Sequence, residues 1–290
     1  MTPVASRRLE LALLLTPALF FVLGVIAYPL GLAVWLSLTD ATIGETGRFV
    51  GLTQYRFLFS DPAYRAALWH TVEYTGLALA GKLVLGTLLA LALLPRFRGR
   101  RLIYTLLLLP FLFPVVMDSI TWYFLFSDVH GGINSILLTL GLVREQYPFL
   151  GSGGTAMLSL VAVNIWHGTP LFTILALAAL RSVSRDHVDS ARLDGASSLA
   201  LFRYVQLPAL VPALILAGLL SVLGTFGDYA IVHLMTAGGP GGETQIISSL
   251  AFTEALRGGD LAGGIATALS VVPVYLAGLL LVLRLLVPRR

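Results

Sequence analysis

Four ionisable side chains fall inside long apolar runs: Glu73, Lys82, Asp118 and Asp228. Each costs about 2.5–3.5 kcal/mol at the centre of a membrane helix, so none is expected to face lipid. Glu73 and Lys82 stand nine residues apart, which puts them on opposite helix faces about 13.5 Å apart along the axis. Lys82 is therefore expected to find its partner on another helix. Ser221, Thr225, Asp228 and Tyr229 recur at helical spacing, Asp118 and Trp122 stand at i,i+4, and Asn164 and His167 at i,i+3. Carboxylates accept paired hydrogen bonds from hydroxyls, and aromatic rings cover apolar C–H faces. These residues are thus candidates to line a cavity for a polyhydroxylated solute. The competing reading is interhelical hydrogen bonding, a common use of polar side chains between membrane helices. It stays open for each of them, and Trp122 and Trp166 suit packing equally well.

Other chemistries are poorly served. The chain has no cysteine, so thiolate nucleophiles, thiolate metal sites and disulfides are excluded. The five histidines form no i,i+4 pair, and no metal site is expected. Gly76–Lys82 followed by Leu83 nearly spells a phosphate-binding loop. It lacks the terminal Ser or Thr that would hold magnesium, and it lies inside an apolar run instead of a strand-to-helix turn. With no other nucleotide-binding element, the chain is expected to bind no cofactor and to hydrolyse no ATP itself.

The elements that must position these groups follow from composition. Of 290 residues, 57% are hydrophobic and 12% charged, and the mean hydropathy is +0.87. Soluble domains carry about a quarter charged residues. Half that density cannot cover a soluble globule, so cytosolic enzymes and disordered proteins are excluded. Six stretches are long enough to cross about 30 Å of hydrocarbon: residues 11–38, 66–94, 102–126, 154–180, 207–234 and 262–287. The first follows Arg7 and Arg8 but is longer than a signal-peptide apolar region and lacks a small-residue cleavage site, so it is expected to be a retained anchor. The fold class expected is an all-α membrane protein with six transmembrane helices. Its organisation is an N-terminal helix and outer loop over residues 1–65, then a core of five helices over residues 66–290. With the N-terminus inside, the inner segments hold 13 of the 19 basic residues, the outer loops 5, and Lys82 lies within a span. This asymmetry places both termini in the cytoplasm. It also accounts for the high pI through arginines at helix ends beside anionic headgroups, and no nucleic-acid face is needed.

The one sizeable inner loop, 181–206, carries the sharpest pattern. Val188, Ala191, Ala196 and Leu199 fall at helical spacing and make one narrow apolar face, with Asp186, Asp189, Arg192 and Asp194 mostly off it. Such a segment is too short and polar to span. It suits a short helix presented to something in the cytoplasm, with Gly195 permitting a bend and Pro208 restarting the chain as the next span. The bland reading is a surface helix that only connects two spans.

The spacing decides between them. The stretch resembles the loop of permease subunits in binding-protein-dependent ABC importers, patterned Glu-Ala-Ala, three residues, Gly, nine residues, Ile, one residue, Leu-Pro. Here Asp189, Ser190 and Ala191 take the first places, then Gly195, Val205, Leu207 and Pro208 follow. Asn164 to Pro170 is similar to the span preceding the loop in carbohydrate-type members. Phe226 and Asp228, then Met235 to Pro240 and Thr244, resemble their Leu-Thr-Gly-Gly-Pro…Thr element, and Gly131 to Asn134 resemble their third-span exit. Two departures are Asp189 for the family Glu and Ser190 for an Ala.

The resemblance implies a type I importer transmembrane domain whose loop, about 184–206, is a coupling helix docking on a cytoplasmic ATPase. It implies that Asp189, Ala191, Asp194, Gly195 and Ala196 make that contact, with Leu207 and Pro208 setting the exit into the span. It further implies a second homologous permease, two ATPase subunits carrying ATP and magnesium, and an extracytoplasmic solute-binding protein that meets the Gly238–Gly242 region. The expected solute is a sugar or oligosaccharide. Glycerol phosphate, a polyamine or ferric ion on the same machinery is the runner-up. An ion-coupled secondary transporter using Asp118 and Asp228 as proton sites is the rival from another class.

Overall fold

The computed structural model describes residues 14–286. Arg7, Arg8, the start of the first expected span, its counterpart at Val287, and Arg289 and Arg290 lie outside the described residues. The described residues contain helices and only isolated β-bridges, Thr39 with Phe49 and Thr42 with Glu45. Five helices are long and apolar enough to cross a membrane, or six if one sharply bent pair counts as a single span.

The chain divides into two compact units. The first takes the residues up to Asp61 together with Ala251–Val271, whereas a boundary at residue 65 leaves 251–271 in the core. It contains α1 (Leu14–Leu36), of whose most apolar window 0% is buried, and α2 (Thr53–Ser60). A loop after α1 is tied back by Tyr55 Oη donating to Ser37 Oγ at 2.9 Å and Gln54 Nε2 donating to Thr39 O at 3.0 Å. The loop also meets α12 (Leu261–Leu269), where Ala262 N donates to Ala41 O at 3.0 Å.

The second unit, Pro62–Leu250 with the residues from Val272 on, holds most of the candidate residues. Its axis is a pair of long helices, α3 (Pro62–Ala92) and α7 (Gly153–Ser182). Both exceed 28 residues, enough for about 45 Å at 1.5 Å per residue. The buried face of α3 reads Thr71, Tyr74, Ala78, Lys82, Gly86 and Ala90 at steps of three and four, so small residues alternate with the functional ones. A Cβ on Gly86 would collide with Cβ of Phe172 in α7. The glycine is what lets the two backbones approach, the usual device where lipid supplies no hydrophobic drive. One apolar cluster gathers Tyr74, Phe126, Met157, Leu160, Ile231 and Ile246. Another joins Ala90, Leu93, Ala176, Leu177, Leu180 and Leu210 at the far end of the pair.

Two expected spans are broken, at a proline and at a glycine. The third is two helices, α4 (Arg100–Leu112) and α5 (Val115–Phe126), bent by 101°. Pro114 forces the preceding residue out of helical geometry, and Phe113 is accordingly extended at φ −93°, ψ 136°. The fifth runs as α9 (Ser198–Phe226), stops at Gly227 and resumes as α10 (Tyr229–Met235). The sixth is not broken in this sense: α12 leads into α13 (Val272–Leu286), and Leu261–Leu280 counts as one span. Pro208 does not restart the chain, because α9 begins ten residues earlier at Ser198, capped by Ser197 Oγ. A π-helical turn over Phe202–Gln206 precedes it, which loosens the hydrogen-bond ladder where the proline has no N–H to give.

Candidate functional site

Asp228 occupies the break in the fifth span. It is the N-cap of α10, its Oδ1 accepting from Ile231 N at 3.3 Å, a role that suits a short carboxylate. Its Oδ2 accepts from Tyr74 Oη at 2.8 Å and from Asn164 Nδ2 at 2.9 Å. Asn164 Oδ1 accepts from Thr225 Oγ1 at 3.3 Å. Lys82 Nζ donates to Thr225 Oγ1 at 3.0 Å and to Ser221 Oγ at 2.9 Å. Tyr74, Asp228, Asn164, Thr225, Lys82 and Ser221 thus form one continuous chain of hydrogen bonds. It links α3, α7, α9 and the turn before α10. An acid stands at one end and a lysine, only 3% exposed, near the other.

This chain borders a cavity of about 520 Å³ lined also by His167, Tyr229, Phe111, Leu171 and Phe172. Most of its wall is apolar, and the polar groups converge on one side. His167 Nδ1 lies 2.8 Å from Oδ2 of the buried Asp118, and its ring stacks on Phe111 at 6.1 Å. The stem of Lys82 crosses α7 at Gly168, where a Cβ would come within 2.5 Å of Lys82 Cε.

Of the sequence-derived cavity candidates, Asn164, His167, Ser221, Thr225, Asp228 and Tyr229 line this space. Asp118 stands behind His167 as its partner. Trp122 does not reach the cavity: it packs on Phe126 at 5.5 Å and against Trp166 at 5.3 Å. The four-residue stripe was drawn on one helix, but the break at Gly227 puts Asp228 and Tyr229 on the next element. Lys82 does find its partners on another helix. Tyr74 and Phe111 escaped the sequence reading. Tyr74 is eight residues before Lys82 on the same buried face, a signal that was present. Phe111 lies in α4 within a continuous apolar run that gives no such signal.

The inner loop forms α8 (Arg185–Leu193), with Ser184 Oγ capping His187 N at 3.3 Å. Asp189 and Ala191 lie on it, and Asp194 is its C-cap. Gly195 takes φ +79° while Ala196 N donates to Ala191 O at 2.9 Å. That is the glycine-closed helix end in which only a residue without Cβ is unstrained. The single apolar face expected through Leu199 is therefore cut at Gly195. Val188, Ala191 and Ala196 are half-buried, and Leu199 is exposed on the far side of the break. Leu193, at the tip, is 89% exposed.

Two further loops are ordered by the motif residues. Asn134, fully buried, donates Nδ2 to Tyr147 O at 3.0 Å and accepts from Tyr147 N at 2.8 Å. Thr244 Oγ1 donates to Gly239 O at 2.6 Å and sits 2.8 Å from Thr236 Oγ1. The turn between them uses left-handed Gly238, Gly241 and Gly242, and the Gly239–Pro240 peptide is cis.

Long membrane helices around a mostly apolar cavity with one polar side, and a short exposed helix on a loop between two of them, make the arrangement of a solute permease. The chain belongs to the family of binding-protein-dependent transport system inner membrane components, which its residues 82–289 match. It is 34% identical over 89% of its length to the probable ABC transporter permease protein y4oQ of Sinorhizobium fredii, covering 83% of that protein. It is 32% identical over 91% of its length to the trehalose/maltose transport system permease protein MalF of Thermococcus litoralis, covering 88% of that protein. Its fold matches a bacterial ABC transporter involved in the import of the acidic polysaccharide alginate, at a TM-score of 0.82 and 20% identity. That match covers 97% of this chain and 96% of the other. The chain is a multi-pass membrane protein and a permease subunit of an ABC importer.

Proposed function

We propose that this permease subunit moves a neutral sugar or oligosaccharide through the cavity beside Lys82 and Asp228. The observation that carries the reading is the hydrogen-bonded chain from Tyr74 to Ser221 on the wall of that cavity. It offers carboxylate, amide and hydroxyl groups on one side and the rings of Phe111 and Tyr229 on others. The relative named for trehalose and maltose supports the solute class. The wall that holds Lys82 also carries the carboxylate of Asp228, and Asp118 stands behind His167, so the lining sets acids against its basic groups instead of gathering positive charge for glycerol phosphate or another anion.

The subunit itself is non-catalytic and holds no cofactor. ATP and magnesium sit on two partner ATPase subunits, a second homologous permease completes the pore, and an extracytoplasmic binding protein delivers solute near Gly238–Gly242. Both termini face the cytoplasm. The ATPase reads α8 through Asp189, Ala191, Asp194, Gly195 and Ala196, and Leu207 and Pro208 carry the movement into α9. Nucleotide and solute need only bind the two states of the pore with different affinity to drive the cycle.

The test is co-purification with the other importer subunits, comparing wild type with Gly195→Arg. Loss of the ATPase with the partner permease retained is the expected result, followed by ATP-dependent sugar uptake in proteoliposomes of the wild-type complex. Equal ATPase recovery in both forms sinks the coupling assignment. Solute flux by this chain alone, driven by a proton gradient, would replace it with the secondary-transporter reading built on Asp118 and Asp228.

A further inference from the structure

A second cavity, of about 780 Å³, opens between the end of α3, the start of α4, the end of α7 and the base of α8. Arg96, Arg100, Arg181, Arg185 and Arg192 line it, against the single carboxylate of Asp189. That carboxylate neutralises little, since its nearest approach to Arg192 is 3.9 Å with both groups well exposed. Like charges at this density repel one another unless something negative lies among them. Arg100 and Arg181 are brought together by one acceptor, each donating from Nη2 to Tyr104 Oη at 2.7 Å. The Arg100 guanidinium also lies over the Tyr104 ring at 5.1 Å. Its Nε is buried and has no hydrogen-bond partner.

Helix polarity adds to the case. Arg100 and Arg101 occupy the first turn of α4, and no side chain caps that end. Cations are disfavoured there, because the helix N-terminus is itself partly positive, whereas an anion is favoured. The remaining lining is apolar, with Leu94 and Leu180 among it. Leu94 follows the end of α3, and Leu180 and Arg181 are in the last turns of α7. The cavity therefore sits where membrane helices end, at the depth of lipid headgroups. Guanidinium forks match the oxygens of a phosphate in pairs, and basic pockets between helix ends suit anionic headgroups.

We propose that this cavity binds the phosphate of an anionic phospholipid headgroup, with Arg100 and Arg181 as its principal ligands and the acyl chains leaving beside Leu94 and Leu180. Four of its other lining residues, Arg185, Val188, Asp189 and Arg192, belong to α8, so a bound headgroup braces the root of the exposed helix. The inference goes beyond the sugar reading and does not depend on it.

Native mass spectrometry of the full-length chain, delipidated in detergent and titrated with phosphatidylglycerol or phosphatidylcholine, tests it. Wild type should retain one phosphatidylglycerol in preference to phosphatidylcholine. Arg100→Gln with Arg181→Gln should weaken that binding about thirtyfold. Arg101→Gln removes a charge from the same turn outside the cavity and should leave it unchanged. Should the glutamine pair fail to fold, Arg100→Lys with Arg181→Lys keeps the charge but loses the paired geometry, and an intermediate loss is expected. Equal retention of phosphatidylglycerol by all variants overturns the site. Displacement by equimolar inorganic phosphate overturns the lipid source, because the acyl chains would then contribute nothing.

Discussion

At the scale of single residues, Asp228 and Lys82 are joined through the amide of Asn164 and the hydroxyl of Thr225 without touching each other. Removing one leaves the other charged, buried and uncompensated, a situation costlier than removing both. Lys82→Met and Asp228→Asn should each lower the thermal stability of the detergent-purified chain. The double variant should lose less than the sum, with a coupling of about 0.5–3 kcal/mol. Additive losses would mean that the two ends of the chain are independent. In the assembled importer, either single change should slow sugar uptake about 10–100-fold, the cost of one or two charged hydrogen bonds. The sequence shows four ionisable groups in apolar runs, and the lysine and the aspartate were legible as groups needing partners. Which partners they take was not legible, because Tyr74 and Asn164 are brought to Asp228 by contacts between helices far apart in the chain.

At the scale of elements, the length of the apolar runs located the long helices well and failed at their interruptions. α3 and α7 lie within a few residues of the ends expected. The breaks at Pro114 and Gly227 were missed because continuous apolarity outweighed a proline and a Gly-Asp pair, although both are known punctuation. Gly86 marks a close contact between α3 and α7. Gly86→Val should separate α3 from α7 at Phe172 and lower stability by about 1–3 kcal/mol, read as a drop in melting temperature. In the first unit, Glu254 lies in the turn before α12, partly buried, accepting from Thr267 Oγ1 at 2.6 Å. Burial, followed by the nearby Asp260 and Asp61, pushes its carboxyl above the ordinary 4.5 of a glutamate. Below that value both folded and unfolded chains are protonated and the fold bears no penalty. As pH rises towards the folded value, the unfolded chain releases a proton that the folded chain keeps, so stability falls and stays lowered above it. Glu254→Gln keeps an acceptor for Thr267 and should flatten the fall in melting temperature as pH rises above the ordinary glutamate value of 4.5. An unchanged slope would assign it to other groups.

At the scale of the whole molecule, the proposed transport cycle demands one orientation, with α8 turned to the proposed ATPase and the glycine-rich turn to the proposed binding protein. The arginine asymmetry argues for that arrangement, and five of the inner arginines gather at the cavity beside α8. The absence of cysteine makes the arrangement directly measurable. Leu193, at the tip of α8, and Leu142, in the loop after α6 (Gly132–Thr139), are both well exposed, so Leu193→Cys and Leu142→Cys should react freely with a membrane-impermeant maleimide. In intact cells with a permeable outer envelope, Leu142→Cys should label and Leu193→Cys should not. In inverted membrane vesicles the pattern should reverse. Labelling of Leu193→Cys should then fall when the ATPase subunits are added back, because a docked coupling helix buries its tip. Labelling of both sites from one side would overturn the six-span topology. Unchanged labelling in the presence of bound ATPase would move the docking surface away from α8.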